Sequence, residues 1–147
     1  MGAQWPLVKA RLIALLPTLP GWSAVTVFNG PPVTADVPTD YVTVGWETDD
    51  QSGSYMQVQS PDGFRYVETG EVRNQLNCLA GDIDLDAVEA RAFVLMDALE
   101  SAVRADRRLG VLSPEGTVDL EVDLRPLQTS GGSAQALVFT LHYQTVT

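Results

Sequence analysis

The sequence predicts an α+β domain: an open, mostly antiparallel sheet of about five strands, two helices packed on one of its faces, and a projecting hairpin arm. Three observations carry that reading. Two segments, one near the start and one at 85–108, place apolar residues at helical spacing. Most of the remaining segments alternate with a period of two and are punctuated by Gly and Pro. The strands come in runs bracketed by helices, an order that favours antiparallel pairing with the helices gathered on one face.

The first helix is expected to open at Pro6, because the first helical position has no use for an N–H. Trp5, Val8, Leu12, Leu15 and Leu16 share one face, and Pro17, Pro20 and Gly21 stop the helix. Ser23–Asn29 reads as a short strand closed by Gly30-Pro31-Pro32, and Tyr41–Trp46 as a second, with Val42, Val44 and Trp46 on one face. Thr48–Ser54 is polar and reads as a loop. Pro61-Asp62-Gly63 is a turn between two strand segments, Tyr55–Ser60 and Phe64–Glu68, because proline presets φ and glycine takes the positive φ that ends the turn. The second strand is expected to bulge at Gly70 and run on to Leu79, with Val72, Leu76 and Cys78 on one face and Arg73, Gln75 and Asn77 on the other.

The longest helix spans Leu85 to Arg108, with Asp84 as N-cap, Gly110 as C-cap, and a buried stripe of Leu85, Val88, Ala92, Leu95, Met96, Leu99 and Val103. In Thr117–Leu124, Val118, Leu120, Val122 and Leu124 face inward and Asp119, Glu121 and Asp123 outward. A loop at Gln128–Ser133 leads to a last strand, Ala136–Val146, with Leu137, Phe139, Leu141 and Tyr143 on one face. The 147 residues show no repeat and no linker, so one domain is expected, 1–147.

Nineteen acids against nine bases give a net charge of −10, which argues against binding along a nucleic-acid backbone. Apolar runs stop at five residues where about 20 are needed to span a membrane, and no signal peptide or myristoylation pattern opens the chain, so a cytoplasmic protein is expected. The single cysteine, Cys78, excludes an intrachain disulfide and alternates with apolar residues as a small buried hydrophobe does. His142, the single histidine, falls on the polar face of the last strand with no Ser or Cys placeable beside it. Asp82, Asp84 and Asp86 imitate the start of a calcium loop, but Ala87 and Phe93 stand where the sharp-turn glycine and the bidentate glutamate are required. No catalytic, cofactor-binding or metal-binding residue is therefore expected, and an enzyme is not.

Two surfaces call for another purpose. Phe93 lies on the acidic side of the long helix, and the hairpin offers Tyr55, Met56 and Val58; these four are the candidate subunit contacts. Asp119, Glu121 and Asp123 form an acidic row that is either plainly solvated or lines a passage for an anionic polymer.

Asn29-Gly30-Pro31-Pro32-Val33 followed by Asp40-Tyr41-Val42-Thr43-Val44-Gly45 starts a longer pattern. Gly81-Asp82 then leads to a helix containing Ala90-Arg91-Ala92-Phe93, then Leu109-Gly110, and the Gln128-Thr129 loop precedes Phe139-Thr140-Leu141-His142-Tyr143. This order of elements and short motifs, over nearly the whole chain, resembles the tail terminator proteins of long, non-contractile-tailed bacteriophages, in particular those of actinobacteria. The resemblance implies a small subunit that closes into a homohexameric ring, caps the tail tube, stops its polymerisation and joins tail to head. It implies no enzymatic activity and no cofactor. The implied partners are the chain itself, the tail tube protein and a head-completion or stopper protein, with DNA passing through unbound. The implied location is the tail–head interface of the virion, and the host cytoplasm during assembly. The alternatives are another neck component, such as a head-closure or tail-completion protein, or a protein-binding module unrelated to phage.

Overall fold

The computed structural model describes residues 2–31, 40–47, 52–79, 85–129 and 132–146. The order of elements is α1 (Trp5–Leu15), β1 (Thr26–Asn29), β2 (Asp40–Val44), β3 (Gly53–Gln59), β4 (Tyr66–Leu79), α2 (Leu85–Ala105), β5 (Thr117–Thr129) and β6 (Gly132–Val146). The fold is α+β, with both helices on one face of an open, mostly antiparallel sheet of six strands.

The sheet runs β1-β2-β4-β6-β5, with β3 also on β4. Strand β4 organises it. Its residues Val67–Leu79 pair with β6 along one edge, while on the other edge Tyr66–Val72 pair with β3 and Asn74–Cys78 with β2. β2 and β3 thus lie end to end beside one long strand, and the hairpin arm is an extension of the sheet whose free part is the turn at Ser60–Arg65. Among the described residues the one parallel pair is β1 with β2, from Thr26↔Tyr41 to Asn29↔Val44.

Register explains the core. Val42, Leu76 and Leu137 are consecutive partners across the sheet, as are Val72, Leu141 and Leu120. Against them pack Val8, Leu12 and Leu16 of the first helical segment and Val88, Ala92, Leu95, Met96, Leu99 and Val103 of α2. Full burial stabilises by about 1.5–3 kcal/mol for each large apolar side chain, so this layer is what fixes the helices to the sheet. Trp22 is fully buried within it and donates its indole N–H to Leu95 O at 2.8 Å.

Several local expectations are corrected. Trp22–Ala24 is a short 3-10 turn, so β1 starts at Thr26, and Pro6 is preceded in the helix by Trp5. Helix α2 ends at Ala105, and Gly110 belongs to the turn beyond it, where Leu109 and Gly110 both take positive φ (51° and 72°). Gly53, Ser54, Gln128, Thr129, Gly132 and Ser133 are strand residues, because β3, β5 and β6 extend further than their apolar alternation does. Gln75 and Asn77 face away from the helices as expected but are buried, the Gln75 amide donating to Asn77 Oδ1 at 2.9 Å. Residues 48–51 of the polar loop, and Asp84 with its capping role, lie outside the described residues.

Gly70 forms no bulge, since its neighbours pair in unbroken register with both β3 and β6. Its reason is a close approach: a Cβ there would sit 2.6 Å from the ring and hydroxyl of Tyr143, its β6 partner. Replacing a strand glycine ordinarily helps. Here the clash wins, and Gly70→Ala is expected to cost about 1–3 kcal/mol of unfolding free energy in a urea titration. An unchanged midpoint would show that the ring has room to move.

Candidate assembly surface

The turn at the hairpin tip is held by its own chemistry. Gly63 N–H donates to Ser60 O at 2.9 Å and Gly63 takes φ 77°, as the Pro-Asp-Gly reading requires. The Ser60 hydroxyl and then the Phe64 N–H hydrogen-bond the Asp62 carboxylate and hold it below its ordinary range. The seven residues of β3 behind this turn are all exposed. Tyr55 and Gln57 pair across from Gly70 and Glu68 on the helix side of the sheet, while Ser54, Met56 and Val58 face the open side opposite Glu71, Thr69 and Val67.

The structure leaves exposed on one arm three of the four candidate contact residues, Tyr55 (53% exposed), Met56 (63%) and Val58 (52%), and beside them Phe64 (89%) and Tyr66 (41%). The last two were missed because the alternation breaks at the turn, although their position beside Pro-Asp-Gly was the available signal. Two shallow hollows flank the strand. One, of about 350 Å³, lies between Trp5 and Tyr55; the other, of about 250 Å³, lies between Met56 and His142.

Beneath this surface sits an anchor invisible to periodicity. Glu68 is fully buried and accepts from Gln4 N–H with both carboxylate oxygens (3.0 and 2.9 Å), from the Gln57 amide (2.9 Å) and from the Tyr143 hydroxyl (2.6 Å). Helix α1 has no acid in its first turn and no side-chain cap, so a strand carboxylate meets the positive end of its dipole instead. Burial, and then Glu68, raise the Tyr143 phenol well above its ordinary value. The Trp5 indole N–H donates to Glu71 O at 2.7 Å, pinning the same helix end to the base of the hairpin.

The fourth candidate, Phe93, stands apart on the outer face of α2, 37% exposed and next to Val94 at 62%. Phe93→Asp is expected to leave the melting temperature within a few degrees of the parent, since surface changes stay within about 0.5 kcal/mol. Loss of the fold would show Phe93 to be a packing residue.

The acidic row is partly compensated. Asp119 is 3.3 Å from Arg107, and Glu121 is 3.2 Å from His142 Nε2, whose Nδ1 lies 3.8 Å from Glu71. The histidine thus stands between two carboxylates on the open face. Arg91 of α2 grips Asp40 at 2.8 Å and donates to Leu79 O at 2.8 Å, joining two motifs that are distant in sequence.

Cys78 is fully buried, and burial, with a further contribution from Asp40, pushes its thiol up to about 12. Native labelling by thiol reagents is expected to be far slower than in urea, and equal rates would place the residue at the surface. The raised pKa also fixes a sign: the stabilisation is complete below the ordinary thiol value of 9.0 and is lost as pH climbs towards about 12. Stability should fall over that window less steeply in Cys78→Ser, which itself costs about 1–3 kcal/mol by burying a hydroxyl.

No family model and no curated protein matches this chain. Among solved structures it is similar to a chain from the virion of a native gene transfer agent particle. That likeness has a TM-score of 0.49 at 14% identity and covers 96% of this chain and 91% of the other.

Proposed function

We propose that this chain is a structural virion subunit of the tail-terminator kind, which assembles with copies of itself into a ring that caps the tail tube and joins tail to head. The observation that carries the reading is the apolar hairpin: Tyr55, Met56, Val58, Phe64 and Tyr66 lie exposed within twelve consecutive residues, fixed to the sheet and backed by a buried anchor. Large apolar side chains left exposed on an ordered arm, Met56 and Val58 on its open face and Tyr55 and Tyr66 on the helix side, support a protein interaction site. The order of motifs over nearly the whole chain, from Asn29-Gly30-Pro31-Pro32 to the last strand, supports the terminator reading in particular.

In this reading the subunit is not an enzyme and takes no cofactor. The tail tube protein meets one side of the ring and a head-completion protein the other, at the tail–head junction of the particle. The open sheet face carrying Asp119, Glu121 and Asp123 borders the passage, where like charge lets DNA slide without specific binding.

Light-scattering mass across a concentration series tests the assembly. The expected result is one species at six times the 15.9 kDa chain mass, formed as concentration rises. A mass of one chain at every concentration would exclude a self-assembling ring.

A further inference from the structure

We propose that in the assembled state the free edge of β3 in one copy pairs, antiparallel, with the free edge of β5 in the next. The inference rests on the self-assembly reading above and names the contact that makes it.

Among the described residues, three strands have a neighbour on one side only: β1 with four residues, β3 with seven and β5 with 13. Such edges offer backbone donors and acceptors to another chain, and charge is a usual means of guarding them. β5 is guarded against itself. Two β5 edges laid side by side would set Asp119, Glu121 and Asp123 against the same acids of the other copy, and like charges directly opposite destabilise a strand pair. β3, Gly-Ser-Tyr-Met-Gln-Val-Gln, has no charge to repel. It also leaves Tyr55, Met56 and Val58 at least half uncovered, as β5 leaves Leu124.

Strand direction agrees. At this end of the sheet the order is β3-β4-β6-β5 with every pair antiparallel, an even number of alternating strands. A second copy related by rotation about an axis along the strands therefore presents its β3 antiparallel to the first copy's β5. The contact is head-to-tail, and repeating it leaves no such edge open only when the copies close into a ring.

The faces agree as well. Continuing the sheet puts Tyr55 on the side of α2, where a hollow of about 170 Å³ between α2 and β5 is floored by Val103, Val118 and Leu120 and rimmed by Glu100 and Arg104. Met56 falls on the open side, opposite Asp119, Glu121 or Asp123 according to register.

Cysteine cross-linking reads out both contact and register. The native thiol, Cys78, is buried and silent. Met56→Cys is combined in turn with Asp119→Cys, Glu121→Cys and Asp123→Cys, each protein is oxidised, and the products are run on a denaturing, non-reducing gel. Within one copy the two sites are three strand spacings apart, about 14 Å, too far for a disulfide. The expected result is a ladder beyond the dimer from one of the three pairs, with no product from Met56→Cys alone. A dimer from Met56→Cys alone would mean β3 meets β3 and would overturn the proposal. A full assembled mass in light scattering with no cross-link from any pair would overturn this contact while leaving the ring. A one-chain mass throughout would overturn both.

Discussion

Glu68→Ala is expected to remove a large share of the protein's stability, about 2–4 kcal/mol, from a total that for such domains is only about 5–15. The reason is the number of groups left behind. The Tyr143 hydroxyl, the Gln57 amide and the Gln4 N–H all point at a carboxylate that is shut away from water. A buried donor without an acceptor costs about 1–3 kcal/mol, which falls on the Tyr143 hydroxyl and in part on the Gln4 N–H while the exposed Gln57 amide turns to water, and the start of α1 loses the negative charge at its positive end. Glu68→Gln keeps the volume but points a donor at three donors, so it should fall between parent and Ala. Tyr143→Phe, which removes one donor, should cost less than either. Urea unfolding of the set measures the order, and a loss below about 1 kcal/mol in Glu68→Ala would mean that water replaces the carboxylate at little cost.

The second large effect is on assembly. Tyr55→Thr, Met56→Glu and Val58→Thr together are expected to hold the protein at its monomer mass at every concentration where the parent assembles. The fold should survive, because all three side chains are at least half exposed and the β-branched replacements keep strand preference. What is lost is the apolar area that a partner covers, and a like charge is brought towards any acidic neighbour. Circular dichroism and a melting curve verify the fold, and light scattering gives the mass. Normal assembly of a folded triple variant would move the contact to the Phe93–Val94 face of α2. Phe93→Asp, tested in the same way, then becomes the deciding variant.

Local periodicity was enough for much of this molecule. The stripe Val88, Ala92, Leu95, Met96, Leu99 and Val103 is buried as its spacing demands, and the burial of Cys78 follows from strand alternation. The Pro-Asp-Gly turn sits where its φ preferences put it. These signals depend on near neighbours in the chain, which is why one sequence suffices to read them. The exposure of Tyr55, Met56 and Val58 was legible for the same reason, since they are apolar residues on an arm with little chain around it to bury them.

Other features exist only once distant segments meet. Leu124 keeps the alternation of β5 and is still 54% exposed, because alternation assigns a face and not the element that covers it. Glu68 lies 64 residues from the helix start that it caps, so no local rule could mark a charged strand residue as the most interior anchor of the hairpin. Gly70 looked like a bulge until Tyr143, 73 positions later, proved to need the space its missing side chain leaves. The sequence by itself determined the helices, the strand faces and the turn, since each is set by spacing along the chain. The tertiary structure decided which strands share an edge, which edges stay open and which carboxylate is buried, since each depends on what packing brings alongside.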